Sequence, residues 1–404
     1  MRIAYVVHQD PRGRFGGAEI YARHLAVAAA RQGHETLVLT SAAPGSGTRD
    51  ESSDGVGYHL MDTAPPRPRC FSFRASFDDP RAFALATQRL QDFRPEHLHV
   101  HHFLLGSARL AIWAATRRIP ATATVHDYWA FCHRITWQLP GGADCPGPLG
   151  GWRCRGCGHP AYNRWPGLLL QPAHILGFLY RNSLLRQAYT AMSGVFCPSR
   201  AVLEAHRVNG FAHAKLIHRP YGLPAAEKLP PFKPGTPLRV GYLGRLAPEK
   251  GIELLLDAAR QRASIHLSIF GAGDPDYTAA LRDRADLARV DFAGSFAHET
   301  LRDVWRRIDV LAVPSVWREN QPLVALEAAQ AGIPVLAADR GGLAELPELC
   351  GAVLVRPNSA AAWAEALAGL AERPAEWHRL RDGLRFERRI EDDVTAHLNA
   401  GATP

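Results

Sequence analysis

The residues best suited to chemistry lie in the second half of the chain. Gly244-Arg245-Leu246-Ala247-Pro248-Glu249-Lys250-Gly251 follows an apolar run and opens a helical pattern. Its two cations suit a pyrophosphate, and Arg245 can fork onto two oxygens at once. Ile269-Phe270-Gly271-Ala272-Gly273 is a second glycine turn after a strand-like run, which places Gly271 at the same end of a sheet. The third segment runs from Pro314 to Ala328 and carries Glu319 and Glu327, a little over two helical turns apart. With a helix starting near Pro322, Glu319 falls on the loop before it and Glu327 in its first turns. One carboxylate can grip a ribose while the other faces a sugar. Phosphates would then sit between them at the helix N-terminus, against the amides of Leu323 and Val324. Asn320 and Gln321 add polar groups beside the sugar.

The first half offers a different set. Gly16-Gly17-Ala18-Glu19 punctuates a strand-to-helix turn, and His126-Asp127 ends an apolar run. A histidine at a strand's carboxyl end is a candidate for function, with a buried core histidine as the bland alternative. His97, His99, His101 and His102 look like a metal cluster, but alternation puts the first three on one face and His102 on the other, which favours strand-end packing. Asp274-Pro275-Asp276 mimics a metal motif, yet it precedes a helical run, so N-capping by Asp274 is the expectation and no divalent ion is expected at the donor. Cys132, Cys145, Cys154 and Cys157 crowd into one Gly- and Pro-rich insertion. The Cys154-Arg155-Gly156-Cys157 knuckle is the usual local half of a tetrahedral site, so one structural zinc is a reading, beside paired disulfides and free thiols.

These segments need strands that end where they begin. The pattern of short apolar runs alternating with helical runs predicts an α/β chain of two doubly wound parallel sheets, two Rossmann-like lobes facing a cleft. One lobe covers 1–222, with the Cys-rich insertion at about 132–160. The other covers 223–384, and a terminal helix over 385–404 is expected to pack back on the first. Tyr221–Pro237, with five prolines, reads as the linker, and residues 41–80 as irregular.

Composition sets the outer bounds. The 404 residues are 47% hydrophobic and 21% charged, which suits a globular chain of two domains. No stretch resembles a signal peptide or a membrane span, and the seven cysteines form no chain-wide framework, so the cytoplasm is expected. Through Gly222 there are 25 basic against 14 acidic residues, and 22 against 25 thereafter. With no nucleic-acid-binding signature, the basic half points to a phosphorylated or lipid-linked acceptor. The segment Trp165–Arg186 could make a peripheral contact at the inner face of a membrane, or simply pack on the sheet.

In order and spacing these motifs resemble glycosyltransferase family 4, retaining enzymes of the GT-B fold, from Met1 to about Leu370. The resemblance rests on Glu319 with Glu327, Arg245 with Lys250, Gly341-Gly342 with Glu345, Gly16-Gly17-Ala18-Glu19 and His126-Asp127. It implies a UDP- or GDP-sugar donor and a glycan or lipid-linked acceptor. It implies that Gly16 and Gly17 bring amides close to the substrates, and that Arg245 and Lys250 neutralise the leaving diphosphate. Glu327 would hold the ribose, Glu319 would contact the transferred sugar, and His126 would lie near the reacting carbon. The sequence departs from the commoner Glu-Gly-Phe at Glu319-Asn320-Gln321, which leaves the donor sugar open. A sugar-nucleotide epimerase or a non-catalytic sensor of the same fold is the alternative; a phosphorylase would need a cofactor lysine in a context that is not found.

Overall fold

Runs of three to seven residues, most of them apolar and separated by helical stretches, build two sheets in a computed structural model that describes residues 1–13, 16–63, 73–104, 106–157 and 171–402. The chain divides into one unit of Met1–Pro224 with Arg389–Pro404 and a second of Ala225–Arg388.

In the first unit the order is β1 (Arg2–Val6), α1 (Gly17–Arg31), β2 (Glu35–Ser41), β3 (Arg49–Ser53), β4 (Val56–Met61), α2 (Pro80–Phe93), β5 (His97–Val100), α3 (Arg109–Thr116), β6 (Ala121–Thr124), α4 (Gln171–Thr190), β7 (Gly194–Cys197), α5 (Arg200–His206) and β8 (Leu216–His218). The sheet runs β3-β4-β2-β1-β5-β6-β7-β8 and is parallel except for the β3–β4 pair. The chain therefore works outward from β1 on one side, then returns to lay β5 on the other. That reversal leaves a crevice beyond the carboxyl ends of β1 and β5.

The hairpin β3–β4 corrects the expectation that 41–80 is irregular. Asp54 and Gly55 both have positive φ, 55° and 78°, as a tight hairpin turn requires. The edge strand Arg-Asp-Glu-Ser-Ser has no apolar face, so only the Asp-Gly pair marked it. Cys70 and the Trp165–Leu170 part of the basic amphipathic segment lie outside the described residues. The remainder of that segment is helix α4. Among the described residues no helix is long and apolar enough to cross a membrane.

The second unit is simpler: β9 (Leu238–Leu243), α6 (Ile252–Gln261), β10 (Ile265–Phe270), α7 (Pro275–Arg284), β11 (Val290–Gly294), α8 (Leu301–Trp305), β12 (Val310–Val313), α9 (Leu323–Ala331), β13 (Val335–Ala338), α10 (Leu346–Cys350), β14 (Val353–Val355), α11 (Ala360–Glu372) and α12 (Pro374–Asp382). Its sheet is all parallel, ordered β11-β10-β9-β12-β13-β14. That is the dinucleotide-binding order, with its reversal between β9 and β12.

After the second unit the chain returns to the first as α13 (Ile390–Ala402), which packs on α1 and beside β5–β7. One buried carboxylate fastens it. Asp393 accepts from Tyr21 Oη at 2.8 Å and from the Gly222 amide at 2.6 Å on one oxygen, and from Arg219 Nε at 2.7 Å on the other. His397 stacks on His99 with centroids 4.1 Å apart.

Candidate functional site

In the second unit the expected donor residues converge on the reversal point. The loops after β9 and β12 are tied where the Val316 amide donates to the Glu249 carbonyl at 3.0 Å. Across them Lys250 Nζ donates to Glu319 Oε1 at 2.6 Å, and Ser315 Oγ donates to the same oxygen at 2.7 Å. Glu319 is buried. Burial pushes its carboxyl up, but the Lys250 charge and the hydrogen bonds from Lys250, Ser315 and Trp317 outweigh it and hold the group below its ordinary range. Glu319 is thus a carboxylate at neutral pH. Lys250 also lies 4.9 Å over the Trp317 ring, so ring and carboxylate fix the ammonium from two sides. Arg245 is more loosely held, with its largely exposed guanidinium paired to Glu249.

Two glycines shape this floor. A Cβ on Gly271 would stand 1.9 Å from the Gly244 carbonyl oxygen, so the loops after β9 and β10 touch backbone to backbone. Gly341 has φ 58° and ψ −133°, and a Cβ there would meet the Glu319 carbonyl oxygen at 2.5 Å. The Gly342 amide donates to that oxygen at 2.8 Å. The Gly341-Gly342 pair therefore holds the backbone of Glu319.

Helix α9 begins at Leu323 with Pro322 as its N-cap. The first amides of any helix lack an intrahelical acceptor, so those of Leu323 and Val324 are available at the helix start. Asn320 and Gln321 are buried on the turn just before. Glu327, one turn into α9, meets His298 Nε2 at 2.8 Å, a partner the sequence did not suggest. Asp274 caps α7, accepting from the amides of Asp276 and Tyr277 at 3.0 and 3.1 Å.

The first unit gathers a titratable cluster beyond β1, β5 and β6. Gly16 and Gly17 start α1, and Glu19 in its first turn is buried, 3.1 Å from His8 Nε2. Burial pushes the Glu19 carboxyl up to about 7, and burial together with His102 pulls His8 down to about 3. The Leu104 amide donates to His102 Nδ1 at 2.9 Å, which fixes the tautomer. His102 Nε2–H then donates to Asp127 Oδ2 at 3.3 Å. His126 has both nitrogens engaged, Nδ1 with Tyr221 Oη at 2.6 Å and Nε2 with His101 Nδ1 at 3.0 Å. Burial holds it down to about 3, so it is neutral at physiological pH. His97 and His99 bond to Thr122 and Thr124 of β6, the strand packing their alternation predicts. Nothing in the sequence singles out His8, and it marks His101 only as one of a run of strand histidines and Glu19 only as part of the glycine turn. The signal for Glu19 was an acid in the first turn after paired glycines.

Cys132, Cys145, Cys154 and Cys157 are free thiols that line one small cavity in the insertion after β6. Burial pushes Cys132 up to about 11 and Cys154 up to about 12. Cys197 and Cys350 are buried elsewhere.

Known proteins match this architecture. The family described as Glycosyltransferase Family 4 matches residues 15–223, and Glycosyl transferases group 1 matches residues 237–373. A D-inositol 3-phosphate glycosyltransferase of Rhodococcus erythropolis is 31% identical over 55% of this chain and 59% of its own length, so the chain spans little more than half of that relative. Glycogen synthase of Mycobacterium tuberculosis is 27% identical over 85% of this chain and 80% of its own. Among solved structures, sucrose-phosphate synthase from Thermosynechococcus elongatus superposes with a TM-score of 0.69 at 21% identity, covering 98% of this chain and 94% of that one. Anabaena HepE in complex with UDP-glucose gives 0.64 at 17% identity, covering 99% and 97%. These likenesses show the GT-B fold of two parallel-sheet α/β lobes, and the matched families carry the rest: the chain belongs to glycosyltransferase family 4.

Proposed function

We propose that this enzyme moves a sugar from a UDP- or GDP-sugar to a glycan or lipid-linked acceptor, with retention at the anomeric carbon. The observation that supports it most is the Lys250–Glu319 pair at the reversal point of the second sheet. When the glycosidic bond breaks, negative charge grows on the departing phosphate oxygen. Lys250 and the amides of Leu323 and Val324 can meet it, the kind of preorganised stabilisation that contributes most in such sites, and Arg245 can join them on leaving Glu249. Glu319, ionised and held on two sides, can accept from sugar hydroxyls, and the amides of Asn320 and Gln321 flank it. Glu327, steadied by His298, is the ribose ligand in this reading.

Solved complexes of related fold hold UDP and UDP-glucose. In the first unit, with its excess of basic residues, His126 acts as a positioning residue because both ring nitrogens are committed within the fold. Exposed Leu149, Trp152, Leu176 and Leu179 support an acceptor met at a membrane surface. The test is a calorimetric panel of UDP, GDP and ADP, followed by turnover of the bound nucleotide's sugar with soluble and lipid-linked acceptors. Tight binding of one diphosphate and a product with the donor's anomeric configuration is expected. No binding of any diphosphate, or an inverted product, would overturn the proposal.

A further inference from the structure

The insertion after β6 holds a cluster of cysteines that the donor site does not use. Four of the chain's seven cysteines fall between Cys132 and Cys157. They arrive from three places: the turn after Trp129, the stretch after the Gln138–Asp144 bridge, and the 3₁₀ turn Leu149–Gly156 with Cys157 just beyond it. Yet all four line a single cavity of about 20 Å³. That is little more than the roughly 10–15 Å³ one water-sized particle needs, and a random set of core thiols has no reason to share it.

Burial keeps the Cys132 and Cys154 thiols protonated, yet backbone donors and guanidinium groups face the sulfurs. The Cys132 thiol faces the backbone amides of Arg134 and Trp137, and the Gly147 amide donates to Cys145 Sγ at 3.4 Å. Amides that point at sulfur from two and five residues on are donors placed for a thiolate, because a neutral thiol is a weak acceptor. The Arg181 guanidinium faces Cys132 and Cys154, and that of Arg134 faces Cys157. Two cations thus stand beside a cage that would carry a net charge of −2 with four thiolates around a divalent ion.

The loop also needs an organiser. Between Cys132 and Cys157 the regular structure is one isolated bridge and one short 3₁₀ turn. Ile135, Trp137 and Leu149 adopt φ of 73°, 53° and 44°, and a β-branched residue there is held against its preference. Among the described residues no three His, Cys, Asp or Glu side chains already stand at the spacing an ion requires. Binding must therefore draw the four sulfurs inward, to about 2.3 Å from a common centre.

We propose that Cys132, Cys145, Cys154 and Cys157 bind one structural Zn²⁺. Four S–H bonds lose their protons to solvent, four Zn–S bonds form, and no electron moves, so the step needs no oxidant. The ion ties the insertion to the end of β6, directly after His126 and Asp127. The inference stands apart from the donor site, which lies in the other unit.

The full-length protein, purified under reducing conditions without chelator, should hold about one equivalent of zinc by elemental analysis. The Cys154→Ser/Cys157→Ser variant should hold less than a tenth of an equivalent, and Cys350→Ser should hold the wild-type amount. Should the double variant fail to fold, wild-type protein loaded with Co²⁺ still decides the matter through the visible bands of a tetrahedral thiolate site. Wild-type protein that keeps less than a tenth of an equivalent after exposure to zinc and washing would overturn the proposal. So would a disulfide among these four residues in the purified protein, or Co²⁺-loaded protein without those bands.

Discussion

Lys250 and Glu319 show how much a single contact can carry. The ammonium neutralises a buried carboxylate and, in the proposed donor site, also meets the diphosphate, so its loss would act twice. Lys250→Ala should weaken UDP affinity by about 1.5–3 kcal/mol, the usual range for a charge-assisted hydrogen bond, roughly ten- to a hundred-fold. It should also leave the buried Glu319 without its counter-charge, held only by Ser315 and Trp317. Arg245 must leave Glu249 before it can meet a phosphate, so Arg245→Ala should cost less. Calorimetry with both variants checks the order, and equal affinities across wild type and Lys250→Ala would remove Lys250 from the site. Glu19 tests the first unit in the same way. Its carboxyl is raised from 4.5 to about 7, so between those values the folded protein keeps a proton that the unfolded chain releases. Stability from this group is therefore full below pH 4.5 and falls as pH rises through 7, by on the order of 3 kcal/mol. Glu19→Gln, which keeps an acceptor for His8, should melt higher than wild type at pH 8 and close to it at pH 4.5. An unchanged difference at the two pH values would mean that Glu19 is ionised throughout.

At the scale of elements, the parts legible in the sequence are those whose chemistry and backbone signal coincide. Arg245, Lys250, Glu319 and the start of α9 each follow a buried strand with a glycine or proline at the turn, so strand end, loop and helix start could be read together. The supporting role of Gly341 could not, because it depends on the carbonyl of a residue 22 positions earlier that only the folded sheet brings near. For the same reason the partners Glu327–His298 and His126–Tyr221 were hidden, since each joins elements far apart in the chain. The β3–β4 hairpin was missed because its edge strand is polar on both faces. These close backbone contacts make a sharp prediction. Gly271→Ala places a methyl against the Gly244 carbonyl and should destabilise the second unit by several kcal/mol, whereas Gly273→Ala meets Leu246 and tests the neighbouring contact. Gly341→Ala should instead shift Glu319 and reduce turnover more than UDP affinity. Kinetics and calorimetry on the same preparations separate the two. Equal loss of both would mean that Gly341 supports the whole floor and not Glu319 in particular.

At the scale of the whole molecule, the chain builds one unit, leaves it to build the other, and returns for its last helix. A terminal helix packed back on the first unit is the sequence expectation, but the local sequence of α13 does not point to its anchor, since Ile390, Val394 and His397 make an ordinary buried stripe. The decisive residue is Asp393, whose two oxygens accept from Tyr21, Gly222 and Arg219, three points spread over the first unit. Removing one partner of a buried, multiply bonded carboxylate typically costs about 3–5 kcal/mol, because the groups left behind keep no replacement. Asp393→Ala should therefore loosen α13 from α1 and free the Tyr21 hydroxyl, which packs beside His126 with ring centroids 5.8 Å apart. Hydrogen exchange should quicken along α1 and α13 and around His126, while the amides of β9, β10 and β12 keep their wild-type protection. UDP affinity, which the proposed donor site assigns to the second unit, should change by less than two-fold, and sugar transfer should fall because the His126 cluster is no longer held. Exchange data with equal acceleration in both units would mean that Asp393 supports the chain as a single cooperative block, and the division of labour drawn here would then be wrong.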